Sequence, residues 1–192
     1  MTINRVAGDM MNEWVVRPAT LSDVEALEAL IARSARDLNT EHYTPAQVES
    51  IIKYVYGVDT QLIRDQTYLL VQEGETLIGC GGWSRRKTLF GGDQLKADSP
   101  DNLLDPRTEP ARIRAFFVHP SWARRGIGSV LMQACETAAK DAGFGTLELM
   151  ATLTGEFLYT RFGFIPVEER DVVLPDGNIM KVRRMSKSIP AS

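Results

Sequence analysis

Apolar residues recur along this chain at two spacings, and where one gives way to the other the elements begin and end. Residues 1–12 carry neither period and read as a flexible N-terminal tail, leaving 13–189 as one domain. The short stretch Trp14 to Arg17 predicts a first strand, closed by Pro18. Val24, Leu27, Leu30 and Ile31 repeat at helical spacing behind a Thr20-Leu21-Ser22-Asp23 start. Val48, Ile51, Ile52 and Val55 do the same behind Thr44-Pro45, with proline at the first helical position. Segments 67–73 and 76–86 predict two antiparallel strands around a tight turn at Gly74, and an irregular stretch over 87–110 leads to a fourth strand over 112–118. Ile127, Val130, Leu131, Ala134 and Ala138 form the stripe of a helix that Gly143 ends. A short fifth strand over 147–150, a short helix around Tyr159, and a hairpin of 164–174 with 179–187 across Pro175-Asp176-Gly177 complete the order. That order describes an α+β fold: a mixed, mostly antiparallel sheet of about seven strands flanked by about four helices.

Composition narrows the class. At 192 residues, 44% hydrophobic and 24% charged, the chain can bury a full core without staples. A net charge of −3 argues against a general nucleic-acid binder. Cys80 and Cys135 stand far apart and read as buried thiols, while His42 and His119 are too few for a metal cluster, so no metal is expected. No apolar run reaches membrane-spanning length and the N-terminus has no signal-like apolar core, which makes the cytoplasm the default.

The chemistry concentrates in Phe116-Phe117-Val118-His119-Pro120-Ser121-Trp122-Ala123-Arg124-Arg125-Gly126-Ile127-Gly128-Ser129. This is a strand, a proline-assisted exit and a glycine-rich turn opening into a helix. The first N–H groups of a helix lack intrahelical partners and favour negative charge. Gly126 and Gly128 carry no Cβ to keep an anion away, and Arg124 and Arg125 add two charges beside the same point. The stretch predicts a pyrophosphate cradle with a strand edge next to it. No Gly-Lys-Ser or Gly-Lys-Thr follows the glycines, as a nucleoside triphosphatase requires, and Met132 or Leu131 stands where a dinucleotide fingerprint needs a small residue.

Val118-x-Pro120 followed by Arg124-Arg125-Gly126-Ile127-Gly128-Ser129 resembles the acyl-CoA-binding signature of the GNAT superfamily of N-acetyltransferases, Gln/Arg-x-x-Gly-x-Gly/Ala. Gly126 and Gly128 match, and Ala123 departs at the leading position. Downstream, Leu158-Tyr159-Thr160-Arg161-Phe162-Gly163-Phe164 is similar to the family's short helix after the fifth strand, whose tyrosine faces the CoA sulfur. Thr154 stands where many members carry asparagine, and can cap that helix. The resemblance implies a sheet splayed between the strands at 112–118 and 147–150, with acetyl-CoA entering the gap as co-substrate. It implies contacts to the cofactor from Phe116, Phe117, Val118, Ala123, Arg124, Arg125, Gly126, Ile127, Gly128, Ser129 and Thr154. It also implies an acetyl acceptor that is a primary amine of a small molecule or peptide, and a family in which homodimers are frequent.

Direct transfer in a ternary complex requires a held thioester, an uncharged amine and help for the departing thiolate. The exposed backbone of Phe116 to Val118 can pair with the pantetheine amides and polarise the acetyl carbonyl. Glu148 is the candidate general base, against the alternative of a solvated strand charge, and His119 fits an exposed or capping role better. Tyr159 is the candidate donor to the leaving sulfur. On the acceptor side, Asp93, Asp98, Asp101, Asp105 and Glu109 outnumber Lys96 and Arg107 in the irregular loop, against the alternative of a solvated surface loop, while Trp83, Tyr43 and His42 either line the cleft or, as aromatics there do more often, serve packing. The alternative from another class is a non-catalytic acyl-CoA sensor or regulatory module.

Overall fold

In a computed structural model of the protein, residues 4–7, 13–95 and 102–189 are described. Eight strands form one sheet: β1 (Asn4–Ala7), β2 (Glu13–Pro18), β3 (Tyr68–Glu73), β4 (Thr76–Ser84), β5 (Ala111–Val118), β6 (Thr146–Thr152), β7 (Ile165–Val173) and β8 (Ile179–Ser188). Their spatial order is β1-β2-β3-β4-β5-β6-β8-β7. Five helices accompany them: α1 (Val24–Leu38), α2 (Pro45–Tyr54), α3 (Thr60–Arg64), α4 (Ile127–Asp141) and α5 (Glu156–Arg161). The seven strands read from the sequence are all present. Residues 4–7, within the stretch read as a flexible tail, pair antiparallel with β2, while 1–3 and 8–12 lie outside the described residues. The helix α3 had no signal: five residues cannot display a period, and only Leu62 and Ile63 are buried.

Local chemistry starts the helices as the sequence implies. Thr44 and Gln47 close a reciprocal capping box ahead of α2, whose first residue is Pro45. Ahead of α1, Thr20 and Asp23 do the same around a short 3-10 turn, Leu21–Asp23, and Arg17 grips both oxygens of Asp23 at 2.8 and 2.7 Å. That fork holds the Asp23 carboxyl far below the usual carboxylate range. Gly143 and Gly163 take positive φ at the ends of α4 and α5.

The site is made by the one parallel junction. β5 and β6 pair only at Ala111↔Leu147 and Arg112↔Glu148, and beyond that point they separate. The cause lies in β5. Ala115 sits at φ +54, and between Cys80↔Phe117 and Gly82↔Arg114 two β5 residues oppose the single Gly81. The bulge changes which face each later residue meets. Ala111 and Ile113 pack with Met132, Cys135 and Ala139 of α4, and after the bulge Phe116 rejoins that face while Ala115 and Phe117 turn to the α1 side. Gly81 is what permits this, since a Cβ there would lie 2.7 Å from the Phe116 ring. A non-glycine residue at positive φ costs on the order of 1–3 kcal/mol. Here the Ala115 carbonyl accepts from the Tyr68 hydroxyl at 3.4 Å and the Cys80 thiol at 3.9 Å, which pins the bulge. Cys80 stays a protonated donor because burial pushes its thiol up to about 12.

Two layers of side chains cover the sheet. One face packs on α4 through Ile127, Leu131, Met132 and Cys135, all essentially inaccessible. The other packs on α1 and α3 through Leu27, Ile31 and Leu62, and on α2 through Val48 and Ile51, which also meet Met180 and Val182 of β8.

Candidate active site

The β5-to-α4 turn is held rigidly from below. His119 Nδ1 accepts the Ser121 N–H at 3.2 Å and its ring stacks edge-on at 4.6 Å against Trp122, so His119 caps the short turn Pro120–Trp122. The Trp122 indole donates to Glu73 of β3 at 3.1 Å, beside an equal bond from Trp14. Ala123, at the leading position of the signature, gives its N–H to Pro120 O at 3.1 Å. Past it the chain takes positive φ at Arg124 (+64) and Gly126 (+97). Among the described residues no acceptor takes the N–H groups of Arg124, Arg125, Gly126, Ile127 or Gly128; intrahelical bonding resumes with Ser129 N to Gly126 O at 3.0 Å. Arg124 and Arg125 are exposed and form no ion pair among the described residues. A run of free amides flanked by two unpaired guanidinium groups is an anion site by construction.

The two glycines do different jobs. A Cβ on Gly126 would meet nothing within 4 Å, so the space before its amide is open. A Cβ on Gly128 would press on Leu158 Cδ2 at 3.0 Å, so Gly128 admits α5 against α4. That contact places the tyrosine helix. Tyr159 is half-buried, edge-on to Phe116 at 6.3 Å and to Phe164 at 6.0 Å. Its hydroxyl has no hydrogen-bond partner among the described residues, and burial, assisted by Cys135, raises its pKa and keeps the proton on. The contact with Phe116 sets the phenol beside the parted strands.

Other expected site residues are placed differently. Phe117 points to the opposite face, edge-on to Tyr56 at 5.1 Å. The Val118 N–H, one of the edge amides, donates to the buried Ser34 hydroxyl of α1 at 3.3 Å. Thr154 does not cap α5: Thr152 Oγ1 takes the Gly155 N–H at 3.1 Å, and Thr154 Oγ1 is buried without a partner. Glu148 departs most from its expected role as a base. It is neither solvated nor free, being 7% exposed and held by Arg112 on one oxygen and by Arg184, at 2.8 Å, on the other. It bridges β5, β6 and β8 where the strands are still paired, which makes it a clamp at the root of the gap.

On the acceptor side, both aromatics serve packing. Trp83 is a core residue against Phe144, and Tyr43 is a strut whose hydroxyl donates to Lys181 O at 2.5 Å and accepts from Leu153 N at 3.3 Å. His42 is exposed. In the acidic loop, Asp93 caps α3 through Thr60 N, Asp105 pairs with Arg107, and Glu109 accepts from Asp105 N. Lys96, Asp98 and Asp101 lie outside the described residues. The unforeseen residue is Tyr56, which packs on Phe117 and lies near Tyr43, Tyr159, Asn39 and Thr152. Following the apolar run of α2, it carries no signal apart from core. Among the described residues no three His, Cys, Asp or Glu side chains gather as metal ligands, and no helix is long and apolar enough to cross a membrane.

Comparison with known proteins agrees with this geometry. The pattern of the Acetyltransferase (GNAT) family matches residues 28–164. No curated protein sequence matches the chain. Among solved structures, a GCN5-related N-acetyltransferase of Rhodopseudomonas palustris superposes with a TM-score of 0.66 at 17% identity, covering 98% of this chain and 99% of that one. The PaiA N-acetyltransferase of Thermoplasma acidophilum, solved with coenzyme A, gives 0.58 at 13% identity over 92% of this chain and 99% of the other. YncA of Salmonella typhimurium, solved with acetyl-CoA, gives 0.58 at 12% identity over 93% and 95%. The match over 28–164 takes in the cradle, both parted strands and Tyr159, and by it this chain belongs to the GNAT family of acetyltransferases, which use acetyl-CoA.

Proposed function

We propose that the protein moves the acetyl group of acetyl-CoA directly to a primary amine of a small molecule or peptide bound beside it. The observation that carries this reading is the run of unclaimed amides from Arg124 to Gly128, with the unclaimed Tyr159 hydroxyl across the strand gap. The residues present fit the cofactor. Open space faces Gly126, two unpaired arginines stand beside it, and the buried Thr154 hydroxyl awaits a partner. Acetyl-CoA supplies a thioester whose carbonyl carbon accepts a nucleophile and whose sulfur leaves as thiolate.

The protein's own groups divide the remaining work. The amides of Arg124 to Gly128 hold the diphosphate, and the backbone of Phe116 to Val118 aligns the arm of the cofactor along the edge of β5. For Val118 to take part, the Ser34 hydroxyl must release its N–H, so Ser34 occupies that edge in the free protein. The Tyr159 hydroxyl, kept protonated by burial, donates to the sulfur as negative charge develops there. Holding both reactants in one cleft supplies most of the acceleration.

Amine deprotonation falls to solvent or to the acceptor itself. Glu148, the candidate read from the sequence, has both oxygens engaged by guanidinium groups at the root of the gap. An α-amine near pKa 8 loses its proton at neutral pH for about 1 kcal/mol, against roughly 4–5 kcal/mol for a lysine-like amine. Turnover therefore rises with pH and follows the pKa of whichever amine is offered. The test is release of free thiol from acetyl-CoA against a panel of amines across pH. Thiol release that needs an amine and shifts with its pKa supports direct transfer. Tight binding of acetyl-CoA without release under any amine defeats it and leaves the non-catalytic sensor.

A further inference from the structure

We propose that Phe157 and Arg124 form the seat for the adenosine 3′-phosphate end of coenzyme A, an inference that rests on the acetyl-CoA reading above. Phe157 leaves 65% of its surface in solvent, so an aromatic side chain beside the cradle is open to a ligand. Of the comparably exposed large apolar residues, Ile165 and Val173 lie on the edge strand β7 and Leu21 and Leu103 on turns away from α5, whereas Phe157 lies on the flank of the cradle. It is next to Leu158, which packs under Gly128, so the first turn of α5 and the mouth of α4 form one surface.

Arg124 connects the two. Its backbone takes φ +64, a conformation side-chain-bearing residues seldom adopt, and its guanidinium lies 5.5 Å from the centroid of the Phe157 ring. The motif's leading position, Ala123, has no polar reach, so the adjoining Arg124 is the charge of this turn that lies against α5. With a diphosphate on the amides of 124 to 128, the ribose 3′-phosphate and the adenine must leave the cradle along one of its sides. The Arg124–Phe157 side offers both things that end requires: a fork of donors for a phosphate dianion and an aromatic face for a purine.

Titration calorimetry with coenzyme A, 3′-dephospho-coenzyme A and pantetheine tests this on three proteins: the wild type, Phe157→Ala and Arg124→Asn. Phe157 is exposed, and asparagine tolerates the left-handed φ, so both variants are expected to keep the fold, which a thermal melt checks. Phe157→Ala is expected to bind both nucleotides roughly tenfold more weakly, within the range of base–aromatic stacking, and to leave pantetheine unchanged. Arg124→Asn is expected to lose roughly tenfold toward coenzyme A alone, as for a charge-assisted contact, and so erase the preference over the dephospho form. Wild-type affinity in Phe157→Ala, or equal losses for both nucleotides in Arg124→Asn, overturns the inference while the cofactor reading stands. Failure of the wild type to bind coenzyme A at all overturns the cofactor reading and this inference with it.

Discussion

The proposed transfer assigns its chemical step to a single hydroxyl. The Tyr159 side chain is wedged between Phe116 and Phe164, so removing only its oxygen leaves the packing intact. Tyr159→Phe is expected to lower turnover tenfold or more, a floor set below the about 10²–10⁴ that a positioned acid contributes. Its affinity for coenzyme A is expected to stay near that of the wild type, because the amides hold the cofactor. Steady-state thiol release together with calorimetry checks both halves, and unchanged turnover removes Tyr159 from the mechanism. Residue identity located this tyrosine, and the structure sets its ring against Phe116 and Phe164. Identity was a poor guide at Glu148, because an acidic residue on a strand looks the same whether it is free or held by Arg112 and Arg184.

Between elements, the α4–α5 contact decides where that hydroxyl lies. Valine at Gly128 would drive its side chain into Leu158, and overpacking of this kind costs about 1–3 kcal/mol. Gly128→Val is therefore expected to lower the urea midpoint and to reduce turnover more than it reduces affinity for coenzyme A, since α5 shifts while the amides remain. A variant with normal stability and normal turnover contradicts the packing role. Elements with local signals were legible in the sequence: the capped starts of α1 and α2, the glycine ends of α4 and α5, and the closing hairpin. The bulge at Ala115 was not, because what holds it, Tyr68 and Cys80, belongs to strands far away in the chain. For the same reason Ser34 on Val118 and Tyr56 on Phe117 could not be read from periodicity. Thr154 was read as a cap because threonine commonly caps, whereas Gly155 is the N-cap of α5 and gives its N–H to Thr152.

Across the whole molecule, ion pairs tie the fold to pH. Arg17 depresses the Asp23 carboxyl and Arg86 depresses Asp65, each chiefly through a direct hydrogen bond. A carboxyl lowered on folding stabilises the native state at pH values above its ordinary 3.8, and that contribution is lost as the pH falls through the lower folded value. Asp23→Asn is thus expected to be less stable than the wild type at neutral pH, with the gap in urea-unfolding free energy narrowing as the pH drops below 4. A gap that does not depend on pH contradicts the linkage.

At the same scale, a sheet opened by one bulge is proposed to present bare helix-start amides to a diphosphate. Amide hydrogen exchange over residues 124–128, with and without coenzyme A, tests it most directly. Rapid exchange in the free protein and strong protection once coenzyme A is bound is the predicted result. Saturating coenzyme A that protects other segments and leaves these five amides exchanging freely would contradict it.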